Sequence, residues 1–405
     1  MKIVLILFYF LSPFSCGLTD KVHMDSSIVD EAKNLDKTLK VGADRNEIYL
    51  PLLINKKVAV VLNQTSYRAN EHMLDYLLSQ KVNITKIFAL EHGIRGTADA
   101  GEVIKDGKDT KTGLPIVSLY GSNKKPNKEQ MQNVDIVLFD IQDVGVRFYT
   151  YISSLDYLMQ SCIENGKQLM VLDRPNPHAH YVDGPVLDIS LKSFVGMHKV
   201  PTVYGMTIGE YAKMVNGERW HNINESCDLT VIPCENYNRN VSYELPIKPS
   251  PNLPNHRAIV LYPSTCLFEG THVSLGRGTD KQFQQFGIPG LEKFYHHNFT
   301  PMPNEGAKEP PQKGKKCYGI DLSDVDLEKW HSKGQISYQY VIDMYESCKK
   351  AKVEFFLNTN FFGKLAGNTR IKEMIIAGKS NEEIRASYAE EVKEFKKIRS
   401  KYLLY

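Results

Sequence analysis

Beyond residue 11 the chain has no apolar run long enough to cross a bilayer, so no later segment reads as an integral membrane span. Neither sign of charge dominates. Fifty Lys and Arg stand against 47 Asp and Glu, a formal net charge of +3, which offers no broad basic surface for DNA or RNA. The phosphate-cradling patterns G-x-G-x-x-G and G-x-x-x-x-G-K-[ST] are both missing, and with them the sequence argument for NAD or ATP. H-E-x-x-H and paired C-x-x-C are missing as well. His92, His178, His180 and His272 lie in polar loops, but their spacing is not that of a metal site, so neither a metal nor any other cofactor is expected. No G-x-S-x-G elbow supports a serine nucleophile, and there is no internal repeat.

The first residues read differently from the rest. Met1-Lys2, an apolar run from Ile3 to Leu11, and the small residues Ser15, Cys16 and Gly17 have the order of a secretory signal, expected to be removed after about residue 17. Residues 18–43 then read as a polar lead-in. Export implies a secreted protein, periplasmic in a bacterium or lysosomal in a eukaryote. Six cysteines follow Cys16. Cys227 and Cys234, flanking a short strand, are the favoured disulfide, with separate buried thiols as the alternative. Asn-x-Ser/Thr sites begin at Asn63, Asn83, Asn224, Asn240 and Asn298, and Asn63 is the least suited to a glycan because it falls in a candidate site motif.

Short β-branched apolar runs recur at 57–62, 84–90, 115–119, 134–139 and 169–172, with helical stretches expected over 70–80, 128–132 and 151–165. Strands buried on both faces and alternating with helices require a parallel sheet. The fold class expected is α/β: a Rossmann-like open parallel sheet over 44–243, then a smaller α+β domain over 244–405, entered through the proline-rich 246–254. Helices are expected near 338–350, 368–377 and 381–402. Open parallel sheets bind ligands beyond the carboxyl ends of their strands. The residues that follow the runs are polar: Asn63-Gln64-Thr65, Glu91-His92-Gly93, Asp140-Ile141-Gln142-Asp143 and Asp173-Arg174-Pro175-Asn176-Pro177.

Three constellations carry chemistry. In Glu91-His92-Gly93-Ile94-Arg95-Gly96, a strand delivers a carboxylate to a glycine-flanked turn; Glu91 either protonates a leaving glycosidic oxygen or pairs with Arg95 to hold the turn. The stretch from Phe139 to Tyr151 offers Asp140 and Asp143 as bases or hydroxyl binders, Arg147 for a carboxylate, and Tyr149 and Tyr151 for sugar faces, against an alternative of Asp–Arg bridging around core aromatics. From Phe268 to Thr279, three glycines allow close backbone approach while Glu269, Thr271 and Arg277 supply polar contacts.

Together with Ser250-Pro251-Asn252-Leu253-Pro254, these motifs resemble, in order, those of the exo-β-N-acetylmuramidase family, over a span from about Val58 to Tyr405. The resemblance implies an active cleft between the two domains, no nucleotide, and release of terminal N-acetylmuramic acid from peptidoglycan-derived glycans. It places the family's favoured catalytic glutamate on Glu91, and its other acidic and aromatic motif positions on Asp140, Asp143, Tyr149, Tyr151 and Glu269. The expected catalytic set is thus Glu91, Asp143 and Glu269. Asn63, His92, Arg95, Asp140, Gln142, Arg147, Tyr149, Tyr151, Asp173, Arg174, Asn176, Asn252, Thr271 and Arg277 are expected to bind substrate, with Arg95, Arg147 and Arg277 toward the muramic lactyl carboxylate. The chain departs from the family in carrying His178-Ala179-His180 where glycines are usual, and His272 where Asn is common. A second reading is a non-catalytic receptor for cell-wall muropeptides; an amidase or deacetylase lacks the metal or nucleophile spacing it needs.

Overall fold

A computed structural model describes residues 38–91, 93–94 and 106–405. The expected signal, residues 18–37 of the lead-in, His92 and Arg95 lie outside the described residues. The end of the lead-in is part of the fold: Gly42 N donates to Asp173 O, and Lys40 bridges to Glu235 in backbone and side chain.

Among the described residues the strands are β1 (Val58–Leu62), β2 (Tyr67–Arg68), β3 (Glu71–His72), β4 (Ile84–Ala89), β5 (Gly107–Lys108), β6 (Pro115–Ser118), β7 (Ile136–Asp140), β8 (Gln168–Leu172), β9 (Leu229–Ile232), β10 (Gln285–Ile288), β11 (His297–Phe299) and β12 (Cys317–Asp321). Seven form one sheet in the order β5-β6-β4-β1-β7-β8-β9. All its pairings are parallel except β5 with β6.

The period of two along each strand sorts its side chains into two cores. Ala59, Val61, Val137, Phe139, Leu169 and Val171 face helices Tyr151–Asn165 and Ile208–Gly217, whereas Val58, Val60, Leu62, Ile136, Leu138, Met170 and Leu172 face helices Asn46–Leu53 and Met73–Ser79. Each Val or Leu so buried contributes roughly 1.5–3 kcal/mol, which is why β1 is apolar throughout and β7 is apolar up to its closing Asp140. The first core continues without a break into the smaller C-terminal domain, through Phe268, Phe286, Val341 and Leu365. That domain holds an antiparallel sheet, β10-β12-β11, and the helices from Leu327 onward.

Three sequence expectations are corrected. Residues 128–132 form a turn, not a helix, because Asn127 and Gln130 bond each other's backbone N–H and close it. The expected helix over 381–402 is two, Asn381–Ala386 and Ala389–Arg399. The six cysteines after Cys16 are free and buried. Cys227 and Cys234 sit at opposite ends of β9, and a strand rising about 3.3 Å per residue carries its ends well past the roughly 5.5–6 Å Cα spacing of a disulfide.

Candidate active site

From β1 the chain builds the sheet outward through β4 and β6, then returns to β7 on the other side of β1 and continues through β8 and β9. The order therefore reverses between β1 and β7. Loops leaving two such strands diverge and open a crevice at their carboxyl ends. Asn63 leaves β1, Glu91 follows β4, and Asp140 ends β7.

A cavity of about 220 Å³ lies here, lined by Glu91, Tyr120, Tyr149 and Thr150 from the sheet domain and by Asn252, Tyr262, Glu269, Arg277 and Phe283 from the C-terminal half, with Phe194 closing one side. Glu91 is held at both oxygens. Tyr120 Oη donates to Oε1 at 2.9 Å and Thr150 Oγ1 to Oε2 at 2.7 Å. Its carbonyl accepts from Tyr151 Oη at 3.4 Å, which in turn accepts from Asn63 Nδ2 at 2.9 Å, so the fully buried Asn63 supports the site from behind. Glu269 has different company: Oε1 is ion-paired with Arg277, whose guanidinium lies 5.2 Å from the Phe283 ring centre, and Cys266 Sγ donates to Oε2 at 3.3 Å. Tyr149 donates to Pro249 O at 2.8 Å and packs edge-on against Tyr151 and Tyr262. Asn252 donates to Gly306 O at 2.6 Å, but among the described residues its buried Oδ1 has no donor.

The remaining expected residues among those described turn away from the cavity. Asp140 is fully buried in a two-pronged ion pair with Arg174 Nε at 2.6 Å and Nη2 at 2.8 Å; both are corrected from substrate contacts to a bridge that joins the ends of β7 and β8. Asp143, expected to be catalytic, is enclosed instead. Its Oδ2 accepts from Tyr204 Oη and, at 2.7 Å, from Gly145 N, while Oδ1 has no partner among the described residues; burial pushes its carboxyl up to about 6. Gly145 has φ +76°, and a Cβ there would meet Asn176 Oδ1 at 2.0 Å, so this turn requires glycine. Gln142 donates to Asp143 O and Pro175 O, and Asn176 to Met206 O. Asp173 accepts from Gly209 N, Thr207 Oγ1 and Tyr405 Oη at the start of helix Ile208–Gly217. Burial likewise raises its carboxyl to about 6. Arg147 does not reach a carboxylate. It is fully buried and donates to the carbonyls of Pro185, Val200 and Leu365 at 2.8–3.0 Å, and desolvation lowers its guanidinium to about 10. Thr271 donates to Phe268 O and caps its own turn.

A wider depression of about 810 Å³ lies between Val186–Ile189 and the C-terminal helices, but three of its four acids have basic partners, Glu390 with Lys393, Glu391 with Arg370 and Glu394 with Lys397, and the exposed Asp188 caps its own turn by accepting from Ser190 N. The smaller cavity is the one that presents partly desolvated carboxylates.

Known proteins resemble this chain over most of its length. Residues 58–257 match the family model described as exo-beta-N-acetylmuramidase NamZ, N-terminal, and residues 260–405 match its C-terminal counterpart. The peptidoglycan beta-N-acetylmuramidase NamZ of Bacillus subtilis (strain 168) is 37% identical over 88% of this chain and 89% of its own. This chain belongs to the NamZ exo-β-N-acetylmuramidase family. Crystal structures of two DUF1343 family proteins from Bacteroides fragilis NCTC 9343 align over 91% of this chain and 99% of theirs, one at 47% identity with a TM-score of 0.83, the other at 26% and 0.77. The departure from the NamZ pattern after Asp173-Arg174-Pro175-Asn176-Pro177 serves packing: His178 Nδ1 bonds Val144 O at 2.7 Å, and the His180 ring lies 3.7 Å from that of His331. Burial holds both imidazoles far below the usual range, to about 3 and about 4, so they are neutral.

Tyr120, Thr150 and Phe194 were not among the residues singled out from the sequence. Thr150 lies inside the motif that runs from Phe139 to Tyr151. Tyr120 was findable by the same rule as Glu91, since it comes two residues after the end of β6. Phe194 sits on a long irregular connection and carries no local signal.

Proposed function

We propose that the chain is an exo-acting glycoside hydrolase that releases terminal N-acetylmuramic acid from peptidoglycan-derived glycans, with Glu91 as proton donor and Glu269 as the second carboxylate. The observation that carries this reading is that two acids, Glu91 from the sheet domain and Glu269 from the C-terminal half, line one cavity. Glycosidase chemistry uses two carboxyl groups in different roles. Glu269, paired with Arg277, is a poor proton donor and a good partner for positive charge developing at the anomeric carbon, and the donor role is given to Glu91, where the motif order places the family's favoured catalytic glutamate. Tyr149, Tyr262 and Phe283 offer aromatic surface for the apolar face of a pyranose. The buried, partnerless Oδ1 of Asn252 suits a sugar hydroxyl or acetamide N–H; an unmet acceptor costs about 1–3 kcal/mol, which a bound donor relieves.

The test is incubation with a disaccharide bearing a non-reducing N-acetylmuramic acid, followed by mass spectrometry. Free N-acetylmuramic acid is expected. Intact disaccharide retained on the protein would point to a receptor for wall fragments instead. The same reading places the working protein outside the cytoplasm, supported by the apolar Ile3–Leu11 segment and the small residues after it.

A further inference from the structure

The substrate proposed above differs from N-acetylglucosamine in one group, the lactyl ether on C3 with its carboxylate. A muramidase must therefore meet an anion beside the reacting sugar. None of the cations already described at the site is available for this. Arg147 is buried among three carbonyls, and Arg277 is held by Glu269.

We propose that Lys124 is the residue that selects the lactyl carboxylate. Its ammonium lies 4.9 Å from the centre of the Phe194 ring, and Phe194 lines the cavity. Lys124 is half-buried, and among the described residues no carboxylate pairs with it. A cation resting on an aromatic face keeps its charge unneutralised and its remaining N–H donors ready for an incoming anion.

The surrounding loop is fixed at three points. Tyr120 bonds Glu91, Asn123 Nδ2 donates to Ser118 O at 2.7 Å, and Lys125 pairs with Glu164 at 2.7 Å. Lys124 thus sits between two anchored neighbours, and the Phe194 carbonyl beneath it is held by Ser153 Oγ at 2.7 Å. Tyr120 links the two tasks. Its hydroxyl holds the Glu91 carboxyl, and its ring lies 6.3 Å from that of Phe194. The ammonium is therefore one aromatic ring beyond the residue that touches the proton donor, consistent with a sugar whose C1 lies at Glu91 and whose C3 substituent points along the Phe194 wall.

This inference rests on the glycosidase reading, and its test separates the two. Release of the terminal sugar from the N-acetylmuramic acid disaccharide is compared with release from the same disaccharide carrying a lactyl methyl ester. The wild-type protein should favour the free acid by roughly tenfold or more in kcat/KM, expressed mainly in KM, the size expected of one charge-assisted hydrogen bond. In Lys124→Met that ratio should fall to about one, and Lys124→Arg should restore most of it. Because the readout is a ratio within one protein, a partial folding defect does not imitate the effect. An acid-to-ester ratio equal in wild type and Lys124→Met overturns the assignment while leaving the glycosidase reading intact; loss of the ratio in Arg95→Met alone does the same and moves the role to Arg95. If wild type releases nothing from either compound, the glycosidase reading fails and this one with it.

Discussion

Two groups of acidic residues differ in their fates. Glu91, beyond β4, and Glu269, from the C-terminal half, meet a cavity, whereas Asp140, Asp143 and Asp173, at or beyond the carboxyl ends of β7 and β8, are buried away from it. Sequence position alone does not separate them, since Glu91, Asp140 and Asp173 each end or follow a parallel strand. What separates them is the partner each receives. Asp140 meets a two-pronged guanidinium, Asp173 a helix start and two hydroxyls, and Asp143 a backbone N–H and a phenol, so their charge or hydrogen-bonding capacity goes into holding loops together. Glu91 receives two hydroxyls that fix its direction, and it lines the cavity.

The largest effect expected from this contrast is on catalysis. Glu91→Gln should lower kcat on a disaccharide by about 10²–10⁴, the range for loss of a general acid. On a nitrophenyl glycoside, whose leaving group departs without a proton, the loss should be much smaller. Equal losses on both substrates would remove Glu91 from the donor role. Asp140→Ala should act on the other side of the comparison. It leaves Arg174 charged, buried and unpaired, a cost of about 3–5 kcal/mol in urea unfolding, while turnover per folded molecule stays near wild type. A large loss of turnover without loss of stability would return Asp140 to the site.

Asp143 gives a smaller and pH-dependent effect. Its folded carboxyl is raised to about 6 from 3.8, so the folded state binds the proton more tightly than the unfolded one. The stability it contributes is full below about pH 4 and is lost as pH rises through 6, by up to about 3 kcal/mol at neutral pH. Asp143→Asn should keep the acceptor for Gly145 N–H and Tyr204, remove the charge, and flatten that part of the stability profile. Unfolding midpoints from pH 4 to 7 measure it, and a wild-type profile no steeper than the variant's would contradict the burial argument.

Much of the architecture was legible because it rests on repetition. The apolar runs at 57–62, 134–139 and 169–172 announced buried parallel strands, and the change to Pro-rich chain at 246–254 precedes the C-terminal half. The position of Glu91 beyond a strand end was equally readable. The direction of Asp140, Asp143 and Arg147 was not, because each faces a partner 30 or more residues away, Arg174, Tyr204 and Leu365, and no local period encodes such pairings. The Cys227–Cys234 expectation failed for a geometric reason: closeness in sequence along an extended strand means distance in space.

The finest test of the contrast concerns what holds Glu91 rather than Glu91 itself. Tyr120 and Thr150 each bond one of its oxygens, so either alone still restricts the carboxyl to one plane. Tyr120→Phe keeps the ring against Phe194 and removes only the hydroxyl; kcat should fall by roughly tenfold to a hundredfold with little change in KM, the scale of one hydrogen bond to a charged group. Thr150→Val should do the same. Combined, the two should depart from the product of the single effects, because residues that share one partner are not additive. A strictly multiplicative double variant would mean that the two hydroxyls act on the substrate separately, and the distinction between a positioned acid and a merely buried one would then need another basis.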